Sequence, residues 1–142
     1  MTAENNEREV RIQFSSIQET DGQKTDISQI VAGVRSEEEG VTVLRFTEKM
    51  EEMDATVEST MWLRPGEVTL SRTGGIASDM VFKNDNDTMC EYSTPLGMLS
   101  FVVTTNDMSL QVDENEIDIH ISYDMYAYGS LVTSNELSIN AK

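Results

Sequence analysis

The stretch Ile117–Gly129, IDIHISYDMYAYG, decides how the rest of the chain is read. Ile117, Ile119, Ile121, Tyr123, Met125 and Ala127 fall on one parity. Asp118, His120, Ser122, Asp124, Tyr126 and Tyr128 fall on the other. Successive side chains of a strand point to opposite faces, so this repeat predicts a strand with one apolar and one polar face.

The same period recurs on either side. In VRIQF, Val10, Ile12 and Phe14 share a face; in TVESTMWL, Val57, Ser59, Met61 and Leu63 do, with Trp62 on the opposite, outward face. The last segment, LVTSNELSIN, is less regular but rich in strand formers. Turn signals separate these runs. Asp21-Gly22 suits a tight hairpin, and Pro65-Gly66 suits a type II turn. Asn84 to Asp87, Asn106-Asp107, Glu114-Asn115 and Gly129-Ser130 follow at similar intervals. Ser36 to Gly40 reads as an acidic loop, and Thr47 to Asp54 as at most one helical turn. The expectation is an all-β chain forming one antiparallel up-and-down barrel of about 8–10 strands. A barrel is preferred to a sandwich because closure removes exposed edges. Residues 1–142 form one domain on this reading, with 1–7 a flexible N-terminus.

A chain of 142 residues can bury enough surface to fold without a disulfide or a metal. The single cysteine, Cys90, excludes an intramolecular disulfide and fits a reducing, cytoplasmic setting. The N-terminus has no apolar run suited to a signal peptide, and no stretch reaches the roughly 18 apolar residues of a membrane span. The charge is strongly acidic: 26 Asp and Glu against 10 Lys and Arg, net −16. No Lys or Arg stands between Lys83 and Lys142. A phosphate backbone or an anionic lipid surface would be repelled, so neither nucleic acid nor membrane is an expected partner.

Catalytic signals are weak. His120, the only histidine, takes the polar face beside Asp118 and Ser122 and reads as a surface residue. Cys90 has no basic neighbour to activate it. One His and one Cys make a poor zinc set. NDNDT and DENEID begin like calcium loops, but Met89 and Ile117 break the alternation of ligands. Gly74-Gly75 lacks the pattern of a phosphate loop. The expectation is a protein that is not an enzyme and carries no metal or cofactor.

From Val68 onward the chain resembles a bacterial family of unknown function typified by YwiB, a calycin-like (lipocalin-like) β-barrel family. The matching elements are LSRTG (Leu70 to Gly74), MVF (Met80 to Phe82), YSTPLGML (Tyr92 to Leu99), the pair Thr104-Thr105 and ISYDM (Ile121 to Met125). The N-terminal half matches only as a pattern of strands, turn and acidic loop. The resemblance implies a small closed or nearly closed barrel and brings no established activity.

Within such a barrel one residue stands out. In EVTLSRTGG, Arg72 shares the parity of Val68 and Leu70, so it points inward with them. Tyr123 points inward with Ile119 and Ile121. Leu99, Phe101, Val103 and Thr105 form another same-face set. Around Tyr92 two parities are open: Met89, Glu91 and Ser93 face in, or Cys90, Tyr92 and Thr94 do. Pro95 and Gly97 mark a turn or sharp bend that Tyr92 could brace. A buried guanidinium without a partner costs several kcal/mol. One solution is an internal network with Glu91 or backbone carbonyls, completed by Tyr123. The other is an anionic ligand, which a planar guanidinium binds bidentately. The candidate ligand-binding residues are Arg72, Tyr123, Tyr92, Thr94, Thr105 and Glu91, with Met61, Met80 and Met125 as wall residues. The expected function is a cytoplasmic barrel that binds a small amphipathic anion in its interior. The alternative is a filled structural barrel acting through its outer surface on a protein partner or a second copy, with Trp62, Tyr126 and Tyr128 forming a patch if adjacent.

Overall fold

Period-two sequence becomes ten antiparallel strands in the computed structural model, which describes residues 7–50, 55–74, 77–94 and 97–142. They are β1 (Arg8–Thr20), β2 (Gln23–Glu38), β3 (Val41–Met50), β4 (Ala55–Arg64), β5 (Glu67–Gly74), β6 (Ala77–Lys83), β7 (Asp87–Thr94), β8 (Gly97–Val112), β9 (Ile117–Ala127) and β10 (Ser130–Ala141). Each strand pairs with its neighbours in the chain, and β1 pairs with β10, so the sheet closes into a barrel. Connections from odd to even strands leave at one rim, here the upper. Those from even to odd strands leave at the lower rim, where the chain also starts β1 and ends β10.

Several connections differ from the sequence expectation. Ser36 to Glu38 is not a loop but the end of β2, and only Glu39 and Gly40 turn, both with positive φ (52° and 83°). Those angles suit a type I′ hairpin, whose twist matches the flanking strands. The helical turn expected at Thr47 to Asp54 is replaced as far as Met50 by β3; residues 51–54 lie outside the described residues. The expected flexible N-terminus falls almost wholly on residues 1–6, also outside them. The last hairpin turns at Tyr128 and Gly129, one residue earlier than expected. Asn106-Asp107 is no turn. It is an irregularity inside β8, where the register shifts between Thr105 and Asp107. One extra residue there reverses the parity of the remainder of β8. Met108 and Leu110 pack against the core, while Asp107 stays in solvent.

The interior is one hydrophobic cluster. Ile12, Leu44, Met61, Val68, Phe82, Val103, Ile117 and Ile121 are all fully buried in it. Each such side chain contributes about 1.5–3 kcal/mol by leaving water. Met80 and Met125 join them, so the three methionines read as wall residues are packed core. Gly33, on the inner face of β2, is where the packing is tightest. A Cβ there would lie 2.4 Å from Ile12 Cδ1 and 2.7 Å from the Arg45 carbonyl oxygen.

The lower rim is closed by an arginine that sequence reading passed over. Arg35, 7 % exposed, shares its parity with Gly33 and reaches across the barrel. Its Nη1 donates to the Asp113 carbonyl at 2.7 Å and to that of Glu114 at 3.4 Å, both in the β8–β9 turn. Its Nη2 meets Glu37 Oε1 at 3.3 Å. This end is sealed by satisfied hydrogen bonds.

Gly33→Ala is expected to lower the melting temperature by several degrees, because a backbone carbonyl cannot yield to the new methyl and overpacking costs about 1–3 kcal/mol. A thermal melt of the single variant checks it; an unchanged midpoint would show that β2 and β3 separate freely.

Candidate functional site

Four inward residues stand in register across four strands near the upper rim. Ser59 on β4 is the Cα partner of Arg72 on β5, Arg72 of Ser78 on β6, and Ser78 of Tyr92 on β7. Alternation sets all four facing in, because Met61, Leu70, Met80 and Cys90, two residues away on the same strands, are buried core. The rung is thus a polar layer laid on the apolar cluster.

Glu48 completes it. On β3 it shares the parity of Leu44 and Phe46, and it is 8 % exposed. Arg72 Nε lies 3.4 Å from Glu48 Oε2, an ion pair whose side chains are 17 % and 11 % exposed. The Ser59 hydroxyl donates to the same carboxylate oxygen. The ion pair is poorly aligned: Arg72 Nε is buried and makes no hydrogen bond. Two further buried oxygens are without a partner, Ser78 Oγ and Thr105 Oγ1.

The tyrosines lie against this layer. Tyr92 donates to Met80 Sδ at 3.5 Å and packs edge-on against Phe101, ring centroids 5.5 Å apart. Tyr123 stacks on Phe82 at 4.8 Å and is the Cα partner of Thr105. Burial raises both phenols above their ordinary range, and the nearby Arg72 guanidinium only partly opposes it. Both stay protonated at neutral pH and remain hydrogen-bond donors. Burial, reinforced by Asp79, pushes the Cys90 thiol up to about 11, so it is a thiol rather than a nucleophilic thiolate.

All of Arg72, Tyr92, Tyr123 and Thr105 face inward; Arg72 and Tyr92 share the rung, Tyr123 is within electrostatic reach of both, and Thr105 pairs with Tyr123 near the β6–β7 turn. The open parity at β7 resolves to Cys90 and Tyr92 inward. Glu91 is corrected: it faces solvent on the opposite parity, and the carboxylate beside Arg72 is Glu48 instead. The side chain of Thr94, with Pro95 and Leu96, lies outside the described residues. Glu48 and Ser78 were missed, although each alternates with core neighbours, Glu48 with Phe46 and Ser78 with Met80. Gly74, which ends LSRTG, has φ 120°, and a Cβ there would come within 2.5 Å of the Thr56 carbonyl oxygen. That glycine lets β5 lie close against β4 beside Arg72.

The other candidates lie elsewhere. His120 is on the outer wall, its Nδ1 3.0 Å from Ser138 Oγ, in an open groove of about 300 Å³. Trp62 is outward and half-buried on β4, whereas Tyr126 is on β9, half-way round the ten-strand barrel. The suggested patch of Trp62, Tyr126 and Tyr128 is not formed. Among the described residues no group of three or more His, Cys, Asp or Glu is placed to hold a metal ion. Nor, among the described residues, is any helix long and apolar enough to cross a membrane.

Comparison with known proteins places this barrel. The family model described as "Domain of unknown function (DUF1934)" matches residues 12–139. The chain belongs to that family. Among solved structures it is similar to the ywiB protein from Bacillus subtilis, with a TM-score of 0.85 at 21 % identity over 96 % of this chain and 92 % of that one. At that identity the likeness shows the fold alone, a closed antiparallel barrel. No curated protein matches.

Removing one partner of a buried ion pair leaves the other uncompensated. Arg72→Met or Glu48→Leu alone should each cost about 2–3 kcal/mol, less than a fully buried pair because both side chains touch solvent. The double variant should recover most of that, a coupling that urea unfolding of all four proteins measures. A second expectation concerns pH. Tyr123 has a raised folded pKa, so its stabilising contribution is complete below the unfolded value of about 10 and is lost as pH rises above it. Stability should fall more steeply above about pH 10 in wild type than in Tyr123→Phe; parallel slopes in alkaline unfolding would refute this.

Proposed function

We propose that this protein is a non-enzymatic binding barrel that takes a small amphipathic anion at its upper rim, with the anionic group set on Arg72 and the hydroxyls of Tyr92 and Tyr123. One observation carries this reading: Arg72 Nε and Ser78 Oγ, Cα partners in the polar rung, are both buried and unsatisfied. Buried polar groups are nearly always hydrogen-bonded, so two adjacent exceptions in one rung suit a missing occupant. The groups there are mostly donors: a guanidinium, two phenols held protonated and two hydroxyls, against one carboxylate already engaged by Ser59. A carboxylate ligand supplies the acceptors that such a set lacks. Its apolar body would be short, because Phe82, Met80 and Val103 already fill the interior beneath the rung.

The second reading, a filled barrel acting through its outer wall, is favoured by that same continuous core. In it the Arg72–Glu48 pair is only a polar cap that fixes strand register. The high thiol pKa of Cys90 supports binding rather than nucleophilic chemistry in either case.

Native mass spectrometry of protein purified gently from its own host, with Arg72→Met in parallel, separates the two. The expected result is a small-molecule adduct on wild type that is absent from a folded Arg72→Met. Calorimetry should then find short aliphatic or aromatic carboxylates bound at least tenfold more weakly by the variant, and the matching alcohols bound weakly by both. Wild type without an adduct, indifferent to every carboxylate tried, would leave Arg72 as a structural cap.

A further inference from the structure

The outer wall carries an apolar row independent of the upper-rim layer. Met89 on β7 is the Cα partner of Val102 on β8, Val102 of Tyr126 on β9, and Tyr126 of Leu131 on β10. All four lie on the outward parity, opposite Cys90, Val103 and Met125, which are buried. Met89 is 68 % exposed and Leu131 55 %. Nearer the upper rim, beyond the Glu91–Ser100 pair, stand Met98, 63 % exposed, and the fully exposed Tyr128. Single exposed apolar residues are ordinary, but a contiguous set in register over four strands marks an interaction surface. Methionine and tyrosine are also the residues enriched where one protein docks on another.

The charge around the row indicates what fits it. The next rung toward the lower rim is Asp87, Thr104, Asp124 and Ser134, again in register over the same four strands. Glu91 flanks Met89 on the other side and is exposed. Asp87 accepts a hydrogen bond from Thr104 at 2.8 Å and Asp124 one from Asn106 at 3.1 Å. Among the described residues no Lys or Arg forms an ion pair with any of these three carboxylates. Residues 84–141 contain no Lys or Arg at all. A second copy would bring the same acidic rung and a net charge of −16 to the contact, which like-charge repulsion opposes.

We infer that the outer wall of β7–β10 is a docking surface for a basic, amphipathic segment of a partner protein. Apolar side chains of that segment would cover Met89, Val102, Tyr126 and Leu131, while its Lys or Arg residues meet Asp87, Glu91 and Asp124. The acidic rung sets orientation and association rate; the apolar row supplies affinity.

The test uses fluorescence anisotropy of a labelled synthetic peptide of alternating Leu and Lys, with a matched Leu–Glu peptide, against the full chain. Wild type should bind the Leu–Lys peptide and ignore the Leu–Glu one. The double variant Met89→Ser/Leu131→Ser, which leaves every charge in place, should bind at least tenfold more weakly while melting as a folded protein. Ile30→Ser, which removes an equally exposed apolar residue from β2, should bind as wild type does. Arg72→Met should also bind as wild type, which keeps this result separate from the upper-rim ligand. Equal binding by wild type and the double variant would reduce the effect to bulk charge and overturn the inference. So would no binding by wild type, or a wild-type dimer in sedimentation that the double variant abolishes.

Discussion

The seam between β1 and β10 is the contact on which the other features depend. It joins the two ends of the chain in register from Ile12 with Ala141 to Glu19 with Ser134. Reciprocal backbone bonds between Arg11 and Lys142, at 2.7 and 3.0 Å, extend it to the lower rim. Without this seam both terminal strands would be open edges, with unpaired backbone groups and with Phe14 and Ile139 facing water. With it, one parity of every strand is enclosed. Any polar residue of that parity must then find a partner inside.

Two arginines meet that demand differently. At the lower rim Arg35 is met by backbone carbonyls of a turn and by Glu37, and its end of the barrel is sealed. At the upper rim Arg72 meets one carboxylate in poor alignment, beside a Ser78 hydroxyl that lacks a partner. The low dielectric of an interior makes a satisfied network rigid and an unsatisfied one costly. That contrast, rather than the presence of an inward arginine, is why the upper rim is the candidate site and the lower rim is a plug.

Much of this was legible in the chain. Alternation in VRIQF, TVESTMWL and IDIHISYDM identified their inner faces correctly, and the apolar parity of Val68 and Leu70 placed Arg72 inside. The partner of Arg72 was not legible. Glu91 is near Tyr92 in sequence but on the outer parity. Glu48 is on a different strand, reached only because β3, β4 and β5 lie side by side. Asn106-Asp107 has the composition of a turn yet sits within β8, where a bulge and a turn draw on the same residues. Ser36 to Glu38 looked like a loop because it is acidic, but Arg45 holds the Glu38 carboxyl below the usual carboxylate range and keeps that strand end in place.

By itself, then, the sequence determined an all-β chain, the inward faces of its most regular strands, the strong negative charge and the inward position of Arg72. These come from local periodicity and from composition, which need no knowledge of what lies across the sheet. Only the tertiary structure decided that Glu48 rather than Glu91 meets Arg72, that Arg35 seals the opposite rim, and that Met89, Val102, Tyr126 and Leu131 form one row. Each of these depends on the register between strands. Register is set jointly by turns, bulges and closure around the whole barrel, and a slip of one residue on one strand would have exchanged its inner and outer faces.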